Sequence, residues 1–218
     1  MNPVLVGIVG GSGSGKTTLA SGLAALTVEY GSRLISQDSY YRGLPPGVSA
    51  ESYNFDDPAA LDLDLLAAHL RELRSGKAIQ APDYDFSTHQ RAGRGVCVEP
   101  ARLLIVEGLF LFMTEALRDS FDLRFFLDVP EAERLRRRVA RDTQQRGRTA
   151  ADVIRQFEQQ VEPMYRRYVW PTRAFTHHVL DLPHPADLLY CEQVVRVWSQ
   201  VEECLRTRGR ESEADRQA

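Results

Sequence analysis

The sequence predicts a doubly wound α/β fold, a parallel sheet with helices on both faces. Three observations predict it. Short apolar runs rich in β-branched residues recur along the chain, as in strands buried on both faces. Helical patterns separate most of them. A glycine-rich turn joins the first apolar run directly to the first helical stretch.

Val4 to Val9 is the first predicted strand, and Thr18 to Val28 the first helical run. Further strands are predicted over Arg33–Gln37, Arg102–Val106, Arg124–Val129 and Val179–Leu182, five in all. Asp57 can cap a helix with Pro58 at its first position and Gly76 just past its end. Thr149 and Asp152 have the spacing of a capping box. Residues 41–56 and 80–95 are rich in Gly, Pro, Asp, Tyr and Ser and too long for simple connectors, which makes them candidate functional loops. Residues 209–218 are polar and nearly free of large apolar groups, so a disordered tail is expected there. The preceding 1–208 form one predicted domain, since 218 residues are too few for two full catalytic domains.

Composition excludes several classes of function. Twenty-seven Lys plus Arg against thirty Asp plus Glu give a formal charge of -3, which offers no basic surface for nucleic acid or an anionic membrane. Three cysteines (Cys97, Cys191, Cys204) without C-x-x-C spacing argue against a disulfide framework or a zinc site. With no leader-like N-terminus and no apolar run approaching a membrane span, a cytoplasmic protein is expected.

Gly10-Gly11-Ser12-Gly13-Ser14-Gly15-Lys16-Thr17 matches G-x-x-x-x-G-K-[ST] between a strand and a helix, the context that a phosphate-binding P-loop requires. Glycines let the backbone curl until its N–H groups face phosphate oxygens, and the helix N-terminus that Thr18 continues adds its positive end. Lys16 would reach the β- and γ-phosphates and Thr17 would ligate Mg²⁺. No N-K-x-D guanine-reading sequence and no ATP-transporter signature is present, which leaves a small-molecule kinase.

Asp38 and Glu107 each lie just beyond a predicted strand, at the sheet edge that lines the ligand crevice in open α/β folds. Glu107 follows four apolar residues, as a metal-orienting Walker B acid does. Asp38 is a candidate to accept the acceptor hydroxyl's proton, and it also stands close enough in this scheme to count among the metal's surroundings. Either acid alone also fits an ordinary turn or helix-capping carboxylate.

Between Glu131 and Arg148 there are seven arginines against three acids. Arg134, Arg138 and Arg141 recur on one helical face, an arrangement that calls for an intervening anion. Arg146 and Arg148 flank Gly147, and the segment reads as a lid closing over the transferring phosphoryl group. For Arg134, Arg136 and Arg137 a solvated helix face neutralised by Glu131 and Glu133 is the expectation. The loop Pro82–Arg91 combines Tyr84, Phe86, His89 and Arg91, a lining suited to a flat ligand: aromatic stacking, an imidazole for the base edge, and Asp56 or Arg141 for ribose hydroxyls. The same aromatics would also serve a surface loop tucked onto the core.

Six ordered motifs now resemble the uridine kinase (uridine–cytidine kinase) family over roughly the first 172 residues: the P-loop, ISQDSYYR (35–42), NFDDPAALD (54–62), PDYDFSTHQR (82–91), VEG (106–108) and RDTQQRGR (141–148). The resemblance implies a P-loop kinase fold with a five-stranded parallel sheet, a small β-ribbon acceptor element at about 77–100 and an Arg-rich helical lid at about 131–160. It implies ATP-dependent phosphorylation of a pyrimidine nucleoside with Mg²⁺, and a homotetramer. It makes Asp38 the catalytic base and places Tyr41, Phe55, Asp56, Tyr84, His89, Arg138, Arg141 and Gln156 around the nucleoside, with Asp56 and Arg141 on the ribose. Arg146 and Arg148 become lid residues, Thr17 and Glu107 the metal environment.

The resemblance weakens after Thr172. Thr176 to Pro183 stands where the family usually runs A-D-x-I-I-P around the donor base, so ATP and GTP both stay open as donors. His177, His178 and His184 read as structural, because adjacent strand residues point to opposite faces. Tyr40 replaces the family's usual Phe and adds a hydroxyl that needs a partner. The alternatives are a phosphoribulokinase-like sugar or vitamin kinase, which would call for more cations in the acceptor loop, and a non-catalytic nucleotide-binding regulator, against which Lys16, Asp38 and Glu107 together speak.

Overall fold

A computed structural model of the chain describes residues 3–50, 52–181 and 188–217. In chain order its strands are β1 (Val4–Gly10), β2 (Ser32–Ser36), β3 (Ile79–Ala81), β4 (Tyr84–Asp85), β5 (Gln90–Arg91), β6 (Val96–Val98), β7 (Leu103–Gly108), β8 (Leu123–Leu127) and β9 (His178–Leu180). The main helices are α1 (Lys16–Leu26), α2 (Leu63–Arg74), α3 (Glu115–Arg118), α4 (Glu131–Gln145), α5 (Ala150–Gln156), α6 (Glu162–Met164) and α7 (Leu188–Gln217).

The five expected strands form one parallel sheet in the order β2-β7-β1-β8-β9. Alternation along β1 sends its side chains into two apolar layers. Leu5 and Val9 join Leu104, Val106, Phe126 and the α2 residues Leu66 and Leu70 on one face. Val4, Val6 and Ile8 join Leu19 and Leu23 of α1 and Val197 and Val201 of α7 on the other. Gly7 faces the first layer, where a Cβ would come within 2.6 Å of the Phe112 ring. Because β1 has neighbours on both sides and its chain leaves towards β2, the crevice opens above the carboxyl ends of β1, β2 and β7.

Two boundary expectations change. Asp57 does cap a turn, accepting from Ala59 N at 2.8 Å, but that turn is a short 3₁₀ segment, Pro58–Ala60. Leu61 leaves it to bridge Tyr41, and the long helix begins at Leu63, capped by Asp62. A long-range backbone pairing thus overrides the local signal. The helix still ends where expected, with Gly76 at φ 82 just beyond it. The backbone expected to be a disordered tail continues α7 through Gln217. A helix already nucleated upstream extends at little cost through a stretch of Arg, Glu and Ala, all good helix formers. His184 and the end of the predicted last strand lie outside the described residues.

Residues 79–98 form the expected ribbon as two small antiparallel pairs, β3 with β6 and β4 with β5. Beyond α5 the chain continues as one helical rod with two π-helical turns, Phe157–Val161 and Tyr165–Val169, on either side of α6. Tyr40 is buried, and its hydroxyl meets His69 Nδ1 at 3.0 Å. Among the described residues no helix is long and apolar enough to cross a membrane.

Candidate active site

The P-loop leaves β1 at Gly10 and enters α1 at Lys16. Gly13 (φ 81) and Gly15 (φ 93) take left-handed conformations that curl the loop. The Lys16 ammonium donates to Gly11 O at 3.1 Å. Burial pulls the Lys16 ammonium below its usual pKa, opposed by the charges of Glu107 and Asp38. Thr17 and Thr18 are exposed on the first turn of α1.

Asp38 sits in a 3₁₀ turn (Gln37–Tyr40) immediately after β2, and Glu107 near the end of the adjacent β7, paired in register with Ser36. Ser36 joins the two acids. Its Oγ donates to Glu107 Oε1 at 2.7 Å and accepts from Asp38 N at 3.3 Å. Gln37 fixes the same junction from below, its Oε1 accepting from Leu109 N at 2.8 Å and Phe110 N at 3.0 Å. Only glycine fits at 108, since a Cβ there would lie 2.5 Å from Gln37.

Burial raises the pKa of Asp38, against the pull of Lys16, Arg146 and Arg141. Burial likewise raises Glu107, and the Asp38 charge adds to it. Buried Glu107 and half-buried Asp38, with the Thr17 hydroxyl on the first turn of α1, are hard oxygen donors. They fit a hard divalent cation that takes its remaining ligands from phosphates and water. Among the described residues no group of three or more His, Cys, Asp or Glu side chains converges as a metal site. His177 and His178 are accounted for structurally: the first meets Arg124 at 2.9 Å, the second stacks on Phe125.

A chain of rings continues from the turn that carries Asp38. Tyr41 meets Phe55 edge-on at 5.7 Å and Tyr84 at 5.2 Å, and Phe55 stacks with His89 at 4.7 Å. His89 holds φ 54, and its carbonyl accepts from Leu44 N, tying the ribbon tip to the segment after Tyr41. Tyr53 packs on Phe55 and belongs to the same wall, a residue the sequence did not single out. Phe86 is 56% exposed and touches the wall only through the edge of Tyr84. Arg91 is committed elsewhere, donating to Tyr41 O at 2.7 Å and Tyr40 O at 3.0 Å and pairing with Asp62. It fastens the ribbon to the turn that carries Asp38. Asp56 is buried; burial raises its pKa, opposed first by Arg138, while Asp38, Lys16 and Arg141 also act on it. Lys16, Asp38, Asp56, Glu107, Arg138, Arg141 and Arg146 therefore share one electrostatic neighbourhood.

The arginine segment is organised by an acid of its own. Asp142 has no exposed side-chain surface and takes Arg141 Nε at 2.7 Å, with Arg138 at 3.5 Å and Arg146 at 3.6 Å. The anion that the arginine spacing calls for is thus, in part, the neighbouring carboxylate. Arg138 also donates to Ser12 Oγ at 2.7 Å, and Gln156 Oε1 receives both Arg138 (3.1 Å) and Arg148 (2.5 Å). Arg148 is thereby turned to Gln156, while Arg146 is 55% exposed. Glu133 neutralises Arg136 and Arg137 as expected. Arg134 departs from expectation: it is 2% exposed and paired with Glu162 at 2.8 Å. Its partner comes from a distant helix, so the local charge pattern gives no sign of it.

Residues 5–186 match the model of the phosphoribulokinase / uridine kinase family. The chain is 40% identical to a uridine kinase of Brevibacillus brevis over 182 residues, 82% of this chain and 85% of that one. It is 38% identical to a uridine kinase of Deinococcus deserti, over 84% and 89% of the two chains. Among solved structures, the phosphoribulokinase from Rhodobacter spheroides shares the fold with a TM-score of 0.58 at 16% identity, covering 80% of this chain and 68% of that one. D-glycerate 3-kinase from Cryptococcus neoformans does so at 0.57 and 21%, covering 77% and 79%. A strand-loop-helix phosphate cradle, two acids at the neighbouring strand ends and a relationship spanning over four-fifths of the chain agree: the chain belongs to the phosphoribulokinase / uridine kinase family.

Proposed function

We propose that this protein transfers the γ-phosphoryl group of ATP to the 5′-hydroxyl of a pyrimidine nucleoside, yielding the monophosphate for pyrimidine salvage. The observation that carries this reading is the position of Asp38. Its charge acts on Lys16 on the phosphate side and on Tyr41, Tyr84 and Asp56 on the aromatic side, so it stands between donor and acceptor halves. The relatives named uridine kinase support the same acceptor. With Arg91 committed to backbone carbonyls and Asp62, the aromatic wall rather than a cation faces the acceptor, which favours a base over a sugar phosphate.

In this mechanism the backbone N–H groups of residues 10–15 and Lys16 hold the β- and γ-phosphates. Tyr41, Phe55, Tyr84 and His89, with Phe86 at the rim, bind the base; Asp56, Arg138, Arg141 and Gln156 bind the ribose side. Asp38 holds the 5′-hydroxyl in line and accepts its proton as the O–P bond forms, and the raised pKa that burial confers makes it a stronger base. Arg146 and Arg148 close over the phosphoryl group and stabilise its spread charge. Thr17 and Glu107, with Asp38 nearby, would hold Mg²⁺, whose charge would offset that of the phosphates.

A coupled ADP-release assay over uridine, cytidine, adenosine and ribulose 5-phosphate tests the reading, with GTP as a second donor. Turnover of both pyrimidine nucleosides and not of adenosine is expected. Turnover confined to ribulose 5-phosphate would move the protein to the sugar-phosphate branch of the family.

A further inference from the structure

We propose that Arg134 is a positioning residue for phosphoryl transfer, a buried cationic brace that sets the shape of the P-loop. The proposal rests on reading that loop as the triphosphate cradle. A P-loop of the form G-x-x-x-x-G-K-[ST] requires glycine at 10 and 15, yet 11 and 13 are glycine as well. Arg134 accounts for both. A Cβ on Gly11 would lie 2.8 Å from Arg134 Nη1 and 2.9 Å from its Cδ; one on Gly13 would lie 2.3 Å from the Arg134 carbonyl oxygen. The crown of the loop therefore rests on this one residue, on its side chain at Gly11 and on its backbone at Gly13.

The brace is held rigidly. Arg134 Nε donates to Val129 O at 3.0 Å, Nη2 donates to Glu162 Oε2 at 2.8 Å, and the guanidinium lies 4.0 Å over the Tyr165 ring. Nη1, the nitrogen against Gly11, is buried with no hydrogen-bond partner among the described residues. A guanidinium stays charged even when dry, so a fixed positive charge is kept in a low-dielectric position beside a loop built for polyphosphate. One turn on, Arg138 donates to Ser12 Oγ, so the first turns of α4 grip the loop at two points. Glu162 is anchored in turn by Arg166 Nε at 2.8 Å. The P-loop, the root of the lid helix and the π-bulged rod beyond it are thus joined through Arg134 and Glu162.

Three variants test this: Arg134→Met, Arg134→Met with Glu162→Gln, and Arg134→Lys. Magnesium ATP binding is read by calorimetry, uridine KM by kinetics, and thermal stability by calorimetric melting. Arg134→Met alone leaves Glu162 short of a partner and should lower Tm; removing both charges should recover most of that loss. The positioning role predicts that ATP binding nonetheless stays about tenfold or more weaker in the double variant, with uridine KM near wild type. Arg134→Lys keeps the charge and loses the fork and the ring contact, and should also weaken ATP binding. ATP affinity within a fewfold of wild type in the folded double variant or in Arg134→Lys overturns the proposal. Failure of the wild-type protein to bind magnesium ATP at all would instead overturn the reading of the loop.

Discussion

Asp142 gathers three arginines without using any of its surface for solvent, so Asp142→Asn removes their shared counter-charge while keeping shape. The magnitude follows from exposure. Breaking a fully buried pair costs about 3 to 5 kcal/mol, whereas exposed pairs contribute about 0 to 1. Arg138 is 8% exposed but stands at 3.5 Å without a hydrogen bond to the carboxylate, and Arg141 is 36% and Arg146 55% exposed, so the loss falls between the two limits. Asn also sets an NH₂ opposite a guanidinium at one of the two oxygen positions, donor against donor. A loss of roughly 2 to 3 kcal/mol is expected, which for a chain of this length corresponds to a Tm drop of about 4 to 12 °C. The pH dependence gives a second readout. Burial raises the Asp142 pKa, but the hydrogen bond from Arg141 and the charges of Arg141, Arg138 and Arg146 outweigh it and hold the carboxyl below its ordinary 3.8. A depressed folded-state pKa means the stabilisation is full above the unfolded value and fades as pH falls through the folded one. Urea unfolding of both proteins from pH 7 down to pH 3 should therefore show a gap that is widest near neutrality and narrows as pH falls below about 3.8. A gap below about 0.5 kcal/mol at pH 7, or one that does not narrow in acid, refutes the account.

Asp38→Asn keeps the shape of the base and removes its charge; kcat should fall by about 10² to 10⁴ with magnesium ATP binding retained in a calorimetric titration. Turnover within a fewfold of wild type would remove Asp38 from that role. Arg146→Ala and Arg148→Ala should each lower kcat by about 10² and raise the nucleoside KM much less, as groups that act on the transition state do. For Arg148 the initial-rate data also separate the proposed phosphoryl role from its hydrogen bond to Gln156, because losing that bond alone would appear in KM.

Much of the site was legible because it is built from contiguous residues. A P-loop needs its glycines, lysine and threonine in one run, and Asp38 and Glu107 announce themselves by following apolar strands whose carboxyl ends must share an edge. The aromatic wall was half legible. Tyr84 and His89 stand out in a loop too polar to be core, whereas Tyr53 does not, since only the fold brings it onto Phe55. Thr149 caps α5 as its spacing predicts, accepting from Asp152 N at 3.2 Å, while the Asp152 carboxylate accepts from the Thr149 hydroxyl at 2.7 Å.

By itself the sequence determined the parallel α/β architecture, the phosphate cradle and the identity of the two strand-end acids, since each depends on local pattern and on chemistry carried by neighbours in the chain. Tertiary structure alone decided where the long helix after Asp57 begins, because Leu61 is claimed by a backbone bridge to Tyr41 across the loop. The grouping of Arg138, Arg141 and Arg146 on Asp142 is local, set by i, i+4 and adjacent spacing, but tertiary structure alone decided that Arg134 lies in the interior. A helix face of alternating charges looks solvated until another element covers it. Glu162 does so from 28 residues away, and a partner at that separation leaves no periodic trace in the sequence.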